Sequence, residues 1–308
     1  MSPPHRLLAA AATIILNSVF ACVPDSTTPL ANSEDGAQIS MKSDNATPVG
    51  TYPNEPAGYV RLFANKADVL PNIVGWSTAL SGIWQRNSTP TVSAQSDPTA
   101  PCSAPNVWNA TYPVGLTAGR GPVILWGQNA AQVTEYRRWY VRACMRVGRA
   151  GQYENAPTAT KIWFGTVGDA PGPGHCSVVP MIKGDGTQAV KSNWVAIAAF
   201  ECSGVLPTVN FYQLPSAGRP IKSDVWQVHQ WLIDAGDINQ SNGRFQWWID
   251  GKLVMDKQNQ KFRTTKSGFS HGLSKWRWAP TWGGATGVKT RVDYFIFDDV
   301  YVSGNGKL

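Results

Sequence analysis

The sequence predicts an all-β protein built from antiparallel strands. From Arg138 to Val147, Trp139, Val141, Ala143, Met145 and Val147 alternate without a break with Arg138, Tyr140, Arg142, Cys144 and Arg146. Strict alternation is the period of a strand with one face packed on a core. Farther on, Phe245, Trp247 and Ile249 alternate with Gln246, Trp248 and Asp250, and Asp250-Gly251 follows. Asp-Gly suits a two-residue hairpin turn, whose central residues both need positive φ. Composition agrees: 29 Gly, 22 Pro and 14 Trp suit many strands and turns, and 43% hydrophobic residues can fill a sizeable core. No long segment carries apolar residues at helical period.

The elements follow in chain order. His5 and Arg6 precede an apolar run from Leu7 to Leu16, and Val19-Phe20-Ala21-Cys22 closes it. The run is shorter than the about 20 residues that cross a bilayer, so residues 1–22 are expected to be a secretory signal. A Cys after Ala21 resembles a bacterial lipobox, which would make Cys22 a lipidated residue and tie the chain to a membrane. A plain signal cut after Val-Phe-Ala is the alternative. Val23 is not the acidic residue that often retains such lipoproteins at the inner membrane, so an outer-membrane or cell-surface site is expected, or secretion under the alternative. Residues 23–54 are rich in Ser, Thr, Pro, Asn and Asp and read as a flexible tether. Residues 55–308 read as one domain. Within it, the Ser/Thr/Pro-rich stretch 89–105 reads as a long surface loop. Beyond 138–147, strands are expected at 121–127, 160–165, 193–201, 207–213, 225–234, 244–250, 252–256 and 292–302. After the Asp-Gly turn, Leu253 and Met255 alternate with Lys252 and Val254.

Cys22 aside, the cysteines are Cys102, Cys144, Cys176 and Cys202. An even set in an exported chain suggests two disulfides, with three possible connectivities. Cys176 and Cys202 flank one hairpin, which favours Cys176–Cys202 together with Cys102–Cys144. The rival, a metal site, lacks a C-x-x-C pair and has only 4 His to draw on, so no metal site is expected. Asp298-Asp299 could ligate a structural Ca²⁺ through oxygen, and no other cofactor is indicated.

The chain carries a formal charge of +7, and residues 55–308 alone carry +9. A basic exported domain attracts acidic glycans or an anionic surface. Export, and the absence of Lys/Arg runs longer than two, argue against nucleic acid; charge for solubility alone is the bland alternative. Trp276 and Trp278 share a face with Trp282 nearby, as core or as a sugar-stacking platform. Glu135, Glu154 and Glu201 stand alone, with no Glu-x-Asp-x-Glu strand, which disfavours glycoside hydrolysis by a carboxylate pair.

The order of Trp247-Trp248-Ile249-Asp250-Gly251-Lys252, Trp282-Gly283-Gly284 and Asp293 to Val302 resembles the C-terminal half of concanavalin A-like jelly-roll domains. Upstream, Cys102 to Gly115, Glu135 to Val147 and Lys161 to Gly165 fall in the order of the alginate- and glucuronan-lyase members of that group. The resemblance covers roughly residues 56–304. It implies a jelly-roll β-sandwich of two antiparallel sheets and a polysaccharide ligand, expected to be anionic. It also implies a groove residue at Lys161, which shares a strand face with Trp163, and a catalytic tyrosine at Tyr212. β-Elimination needs a base at the C5 proton, an acid for the leaving oxygen and a cation for the uronate carboxylate. Tyr212, Lys161 and an arginine such as Arg146 would fill those roles. Arg146, Arg142 and Tyr140 would line the groove with Trp163 if the polar face of 138–147 were concave. Thr160 and Ala159 replace the paired glycines of the relatives, and Asn210 replaces their first tyrosine. A non-catalytic surface lectin, or a structural adhesion lipoprotein, on the same scaffold is the alternative to a lyase. Gln227-Val228-His229 matches a triplet of another alginate-lyase family but lacks its companion motifs. His175, next to Cys176 in a Gly/Pro-rich loop, is a second possible base.

Overall fold

The computed structural model describes residues 52–65, 92–121, 125–126, 135–148, 159–168, 175–184, 193–202, 210–214, 218–266, 269–283 and 287–308. The signal, Cys22 and most of the expected tether lie outside the described residues. Those described hold fifteen strands and form one two-sheet jelly roll.

The long sheet is built around β5 (Tyr136–Val147), which pairs β11 (Gln227–Asp234) on one side and β15 (Asp293–Lys307) on the other. β12 (Gly243–Ile249) and β13 (Lys252–Gln260) extend it past β11. Past β15, its first half pairs β3 (Asn106–Tyr112), which carries β2 (Val92–Ser96), and its second half pairs β1 (Val60–Asn65). The short sheet runs β10 (Asn210–Gln213), β9 (Val195–Cys202), β8 (His175–Lys183), β7 (Trp163–Gly168) and β14 (Leu273–Trp278). β6 (Thr160–Lys161) continues the β7 edge along β8, and β4 (Leu125–Trp126) pairs β14. The sheets meet where Leu273 pairs Tyr136.

Between the sheets lies a core heavy in tryptophan. Trp139, Val141, Ala143, Met145 and Val147 all point into it, as their alternation predicts. So do Trp276, Trp278 and Trp282, which are core and not a platform. Asp250 and Gly251 both take positive φ, and Phe245, Trp247 and Ile249 are buried. Past that turn, a bulge sets Trp247 against Met255 but Trp248 against Leu253. The extra residue breaks the expected shared face: Met255 is buried and Leu253 stands exposed. Gly243 is required where it sits, because a Cβ would lie 2.7 Å from the Gln260 carbonyl oxygen.

Cys102 is bonded to Cys144, and Cys176 to Cys202, its direct cross-strand partner. Three local expectations change. The stretch 89–105 is not all loop, since β2 lies within it. His175 opens a strand instead of sitting in a loop. Tyr52, Pro53 and Asn54 belong to the domain: the Pro53 carbonyl accepts hydrogen bonds from Tyr140 and Gln230, and Asn54 donates to Gln230 at 2.9 Å.

That last contact explains the polar face of β5. The segment from Tyr52 to Tyr59 lies across it, and Tyr140, Arg142 and Arg146 are each engaged within the protein. Arg142 is buried against Asp299, with the Tyr52 ring 4.2 Å from its guanidinium carbon. Arg146 pairs with Asp97 at 2.8 Å, and Tyr140 is buried beside Tyr59 and Tyr301. This part of the face is covered, so Tyr140, Arg142 and Arg146 do not line a groove. Asp298 and Asp299 are likewise occupied. Asp298 accepts the Ser103 backbone N–H and hydroxyl, and burial pushes its carboxyl above the usual range. Among the described residues no group of three or more His, Cys, Asp or Glu could hold a metal ion.

Candidate functional site

The outward face of the short sheet is where chemistry-bearing side chains remain reachable. Its floor is apolar: Val179, Met181, Ile197 and Ala199 form a small cluster separate from the main core. Strand register then lays a polar row across the sheet. Lys275 sits opposite Thr166, Thr166 opposite Ser177, and Ser177 opposite Glu201.

A bulge places the key cation beside this row. Thr160 and Lys161 pair with Ile182 and Met181, but by Gly165 the partner is Val178, so one extra residue has entered the strand. Ile162 and Trp163 consequently both turn inward, and both are fully buried. Lys161 and Phe164 turn outward. Lys161 and Trp163 therefore lie on opposite faces, contrary to simple alternation. Trp163 packs edge-on against Trp231 at 5.6 Å and is a core residue, not a sugar contact.

Outside the sheet, Lys161 Nζ lies 5.1 Å from the centre of the Phe164 ring, and the Arg277 guanidinium lies 4.1 Å from it. Two cations thus share one aromatic ring, an arrangement that anchors charged heads near it while their stems cover apolar surface. Lys161 Nζ also lies 3.6 Å from Glu201 Oε1, with both side chains about one-quarter exposed, at 25% and 28%. Among the described residues, this face carries Lys161, Lys183, Lys275 and Arg277 against a single carboxylate, Glu201. The excess is positive and partly desolvated, where a bound carboxylate gains more than it would in bulk water.

Tyr212 is elsewhere. Its register opposite Ala198 turns it to the inner side of β10, where its ring packs 5.1 Å from Phe200. Its hydroxyl donates to Gln260 Oε1 at 3.0 Å, tying the free edges of the two sheets together. The structure does not bring Lys161 and Tyr212 to one site. His229 is sealed in the core, accepting from Trp247 Nε1 at 3.2 Å, and burial lowers its pKa to about 3. It is no surface base.

Sequence reasoning passed over Phe164, Glu201 and Arg277. Arg277 was within reach, because it alternates with Trp276 and Trp278 and must face away from them. Glu201 joins the site only through the β7–β8–β9 register, which one strand alone does not reveal.

No protein-family model matches the chain, and no curated protein matches its sequence. Solved structures do match its fold. A glucuronan lyase from the fungus Trichoderma reesei is 12% identical, covering 80% of this chain and 96% of its own at a TM-score of 0.52. An alginate lyase from a Chlorella virus is also 12% identical, over 75% and 93%, at 0.52. An alginate lyase from Aplysia kurodai gives 12%, over 69% and 86%, at 0.50. The fold is the lyase-type jelly roll. At these identities the likeness establishes architecture and leaves the chemistry to the site itself.

Proposed function

We propose that this chain is an exported protein that binds an acidic polysaccharide across the outward face of the short sheet. The observation that carries this reading is the grouping of Lys161 and Arg277 around Phe164. Arginine forks onto a carboxylate through two N–H donors, and lysine adds a point charge that tolerates variable geometry. Together they suit the carboxylate of a uronate residue, and Thr166 offers a hydroxyl for the ring. The charge of +9 over residues 55–308 supports the same ligand class by drawing polyanions to the surface. The two disulfides support an oxidising compartment. A signal over residues 1–22 fits export, and a lipid on Cys22 would hold the domain at the cell envelope.

A second reading, β-elimination, is favoured by the 3.6 Å approach of Lys161 to Glu201. A cation and a carboxylate side by side could serve one bound sugar as acid and base. One panel tests both readings. Alginate, glucuronan and a neutral glucan are offered to the mature protein, with binding followed by calorimetry and elimination by ultraviolet absorbance of the unsaturated product. Binding of the uronate polymers alone supports the first reading, and absorbance growth that Lys161→Ala abolishes supports the second. Equal binding of the neutral glucan, or no binding, contradicts both.

A further inference from the structure

The opposite side of the sandwich holds a cavity of about 290 Å³ on the outer face of the long sheet. Its floor is a single cross-strand row: Asn305 opposite Arg138, Arg138 opposite Asp234, and Asp234 opposite Arg244. Its wall comes from Pro56, Ala57 and Tyr59, in the segment that crosses the sheet.

The arginines in this row have donors to spare. Arg138 uses Nε on Asp234 at 2.6 Å, and Arg244 uses Nε and Nη2 on Asp256 at 2.8 and 2.5 Å. Among the described residues, both terminal amino groups of Arg138 and Nη1 of Arg244 make no hydrogen bond. The two side chains are 43% and 42% exposed, so these donors reach solvent. Tyr59, 3% exposed, has a hydroxyl with no hydrogen-bond partner. Asn305 gives its amide N–H to the Gly58 carbonyl at 2.9 Å, which leaves its Oδ1 as an acceptor. Asp234 does not repel an anion, because Arg137 and Arg138 both engage it. Charges nearly balance around the cleft. Selection there rests on directed donors and not on net charge.

We propose that this cleft is a second binding site, for a single carboxylate-bearing pyranose. The terminal N–H groups of Arg138 and Arg244 take the carboxylate, and Asn305 accepts a hydrogen bond from a ring hydroxyl. Its volume lies at the lower end of the range for ligand pockets, about 300 Å³, which suits one sugar ring. The ligand class matches that proposed for the short-sheet face, but none of the residues do, so either site can fail without the other.

The test uses the mature protein and free glucuronate, with glucose and acetate as controls, followed by calorimetry and by NMR shift mapping. Glucuronate should bind the wild type and Lys161→Ala alike, shift resonances of Leu232 and Asn305, and lose at least tenfold in affinity in Arg244→Met. Ala57→Trp, which fills the cleft from its wall and leaves both arginines in the sequence, should abolish binding as well. Undiminished binding in both variants overturns the proposal, as does failure of the wild type to bind. Loss in Lys161→Ala alone would put the sugar on the other face. Glucose or acetate binding as tightly as glucuronate would refute recognition of a carboxylated ring.

Discussion

His229 should make this protein acid-sensitive in a way that one substitution removes. The imidazole is 1% exposed, stacks on Trp231 at 5.7 Å and accepts the Trp247 indole N–H on Nδ1. Protonation would charge a group that water cannot reach and would set two N–H donors against each other. Burial accordingly lowers its pKa from 6.5 to about 3. The unfolded chain binds a proton near pH 6.5 while the folded chain refuses it until about pH 3. Stability is therefore full above 6.5 and falls as the pH drops through the window between these values. The slope is about 1.4 kcal/mol per pH unit, so between pH 7 and pH 5 the loss from this residue alone is about 2 kcal/mol. His229→Gln keeps an acceptor for Trp247 but cannot titrate. Urea unfolding of both proteins at pH 7 and pH 5, disulfides intact, should show the wild type losing about 2 kcal/mol more than the variant. Identical losses would refute a neutral, buried His229.

Other outcomes follow from the packing. Gly243→Ala drives a Cβ to within 2.7 Å of the Gln260 carbonyl oxygen, and should lower the urea midpoint by an amount worth about 1–3 kcal/mol. Arg142→Ala leaves Asp299 buried without its cation, and should cost about 3 kcal/mol in the same assay while polyuronate binding persists in the folded fraction. Replacing Cys176 and Cys202 together by Ala removes a link across 26 residues, and should lower stability by about 3 kcal/mol.

The strands legible in the sequence are those whose two faces meet different surroundings. β5 and β12 each show one core face and one polar face, and their alternation survives into the structure. Where the chain bulges, alternation misleads. An extra residue near Ile162 sends Lys161 and Trp163 to opposite faces, and another at Val254 sends Leu253 to solvent. A bulge is fixed by how partner strands fit, which is not written in either strand alone. The polar face of β5 misled for a related reason. Three arginines in alternation look like a groove lining, yet Asp97, Asp234 and Asp299 meet them from distant parts of the chain. The candidate site was half visible: Lys161 was named from resemblance, whereas Glu201 depends on strand order and Tyr212 faces inward.

Calorimetric titration of the mature protein with a uronate oligosaccharide decides whether the Lys161–Phe164–Arg277 grouping holds uronate carboxylates. Lys161→Ala with Arg277→Ala removes two charge-assisted contacts and should weaken binding by about 100-fold, since each is worth about 1.5–3 kcal/mol before losses to solvent. The doubly substituted protein should still fold, because both side chains lie outside the core between the sheets, and its affinity is compared in the folded state. Affinity unchanged in that protein would contradict the account.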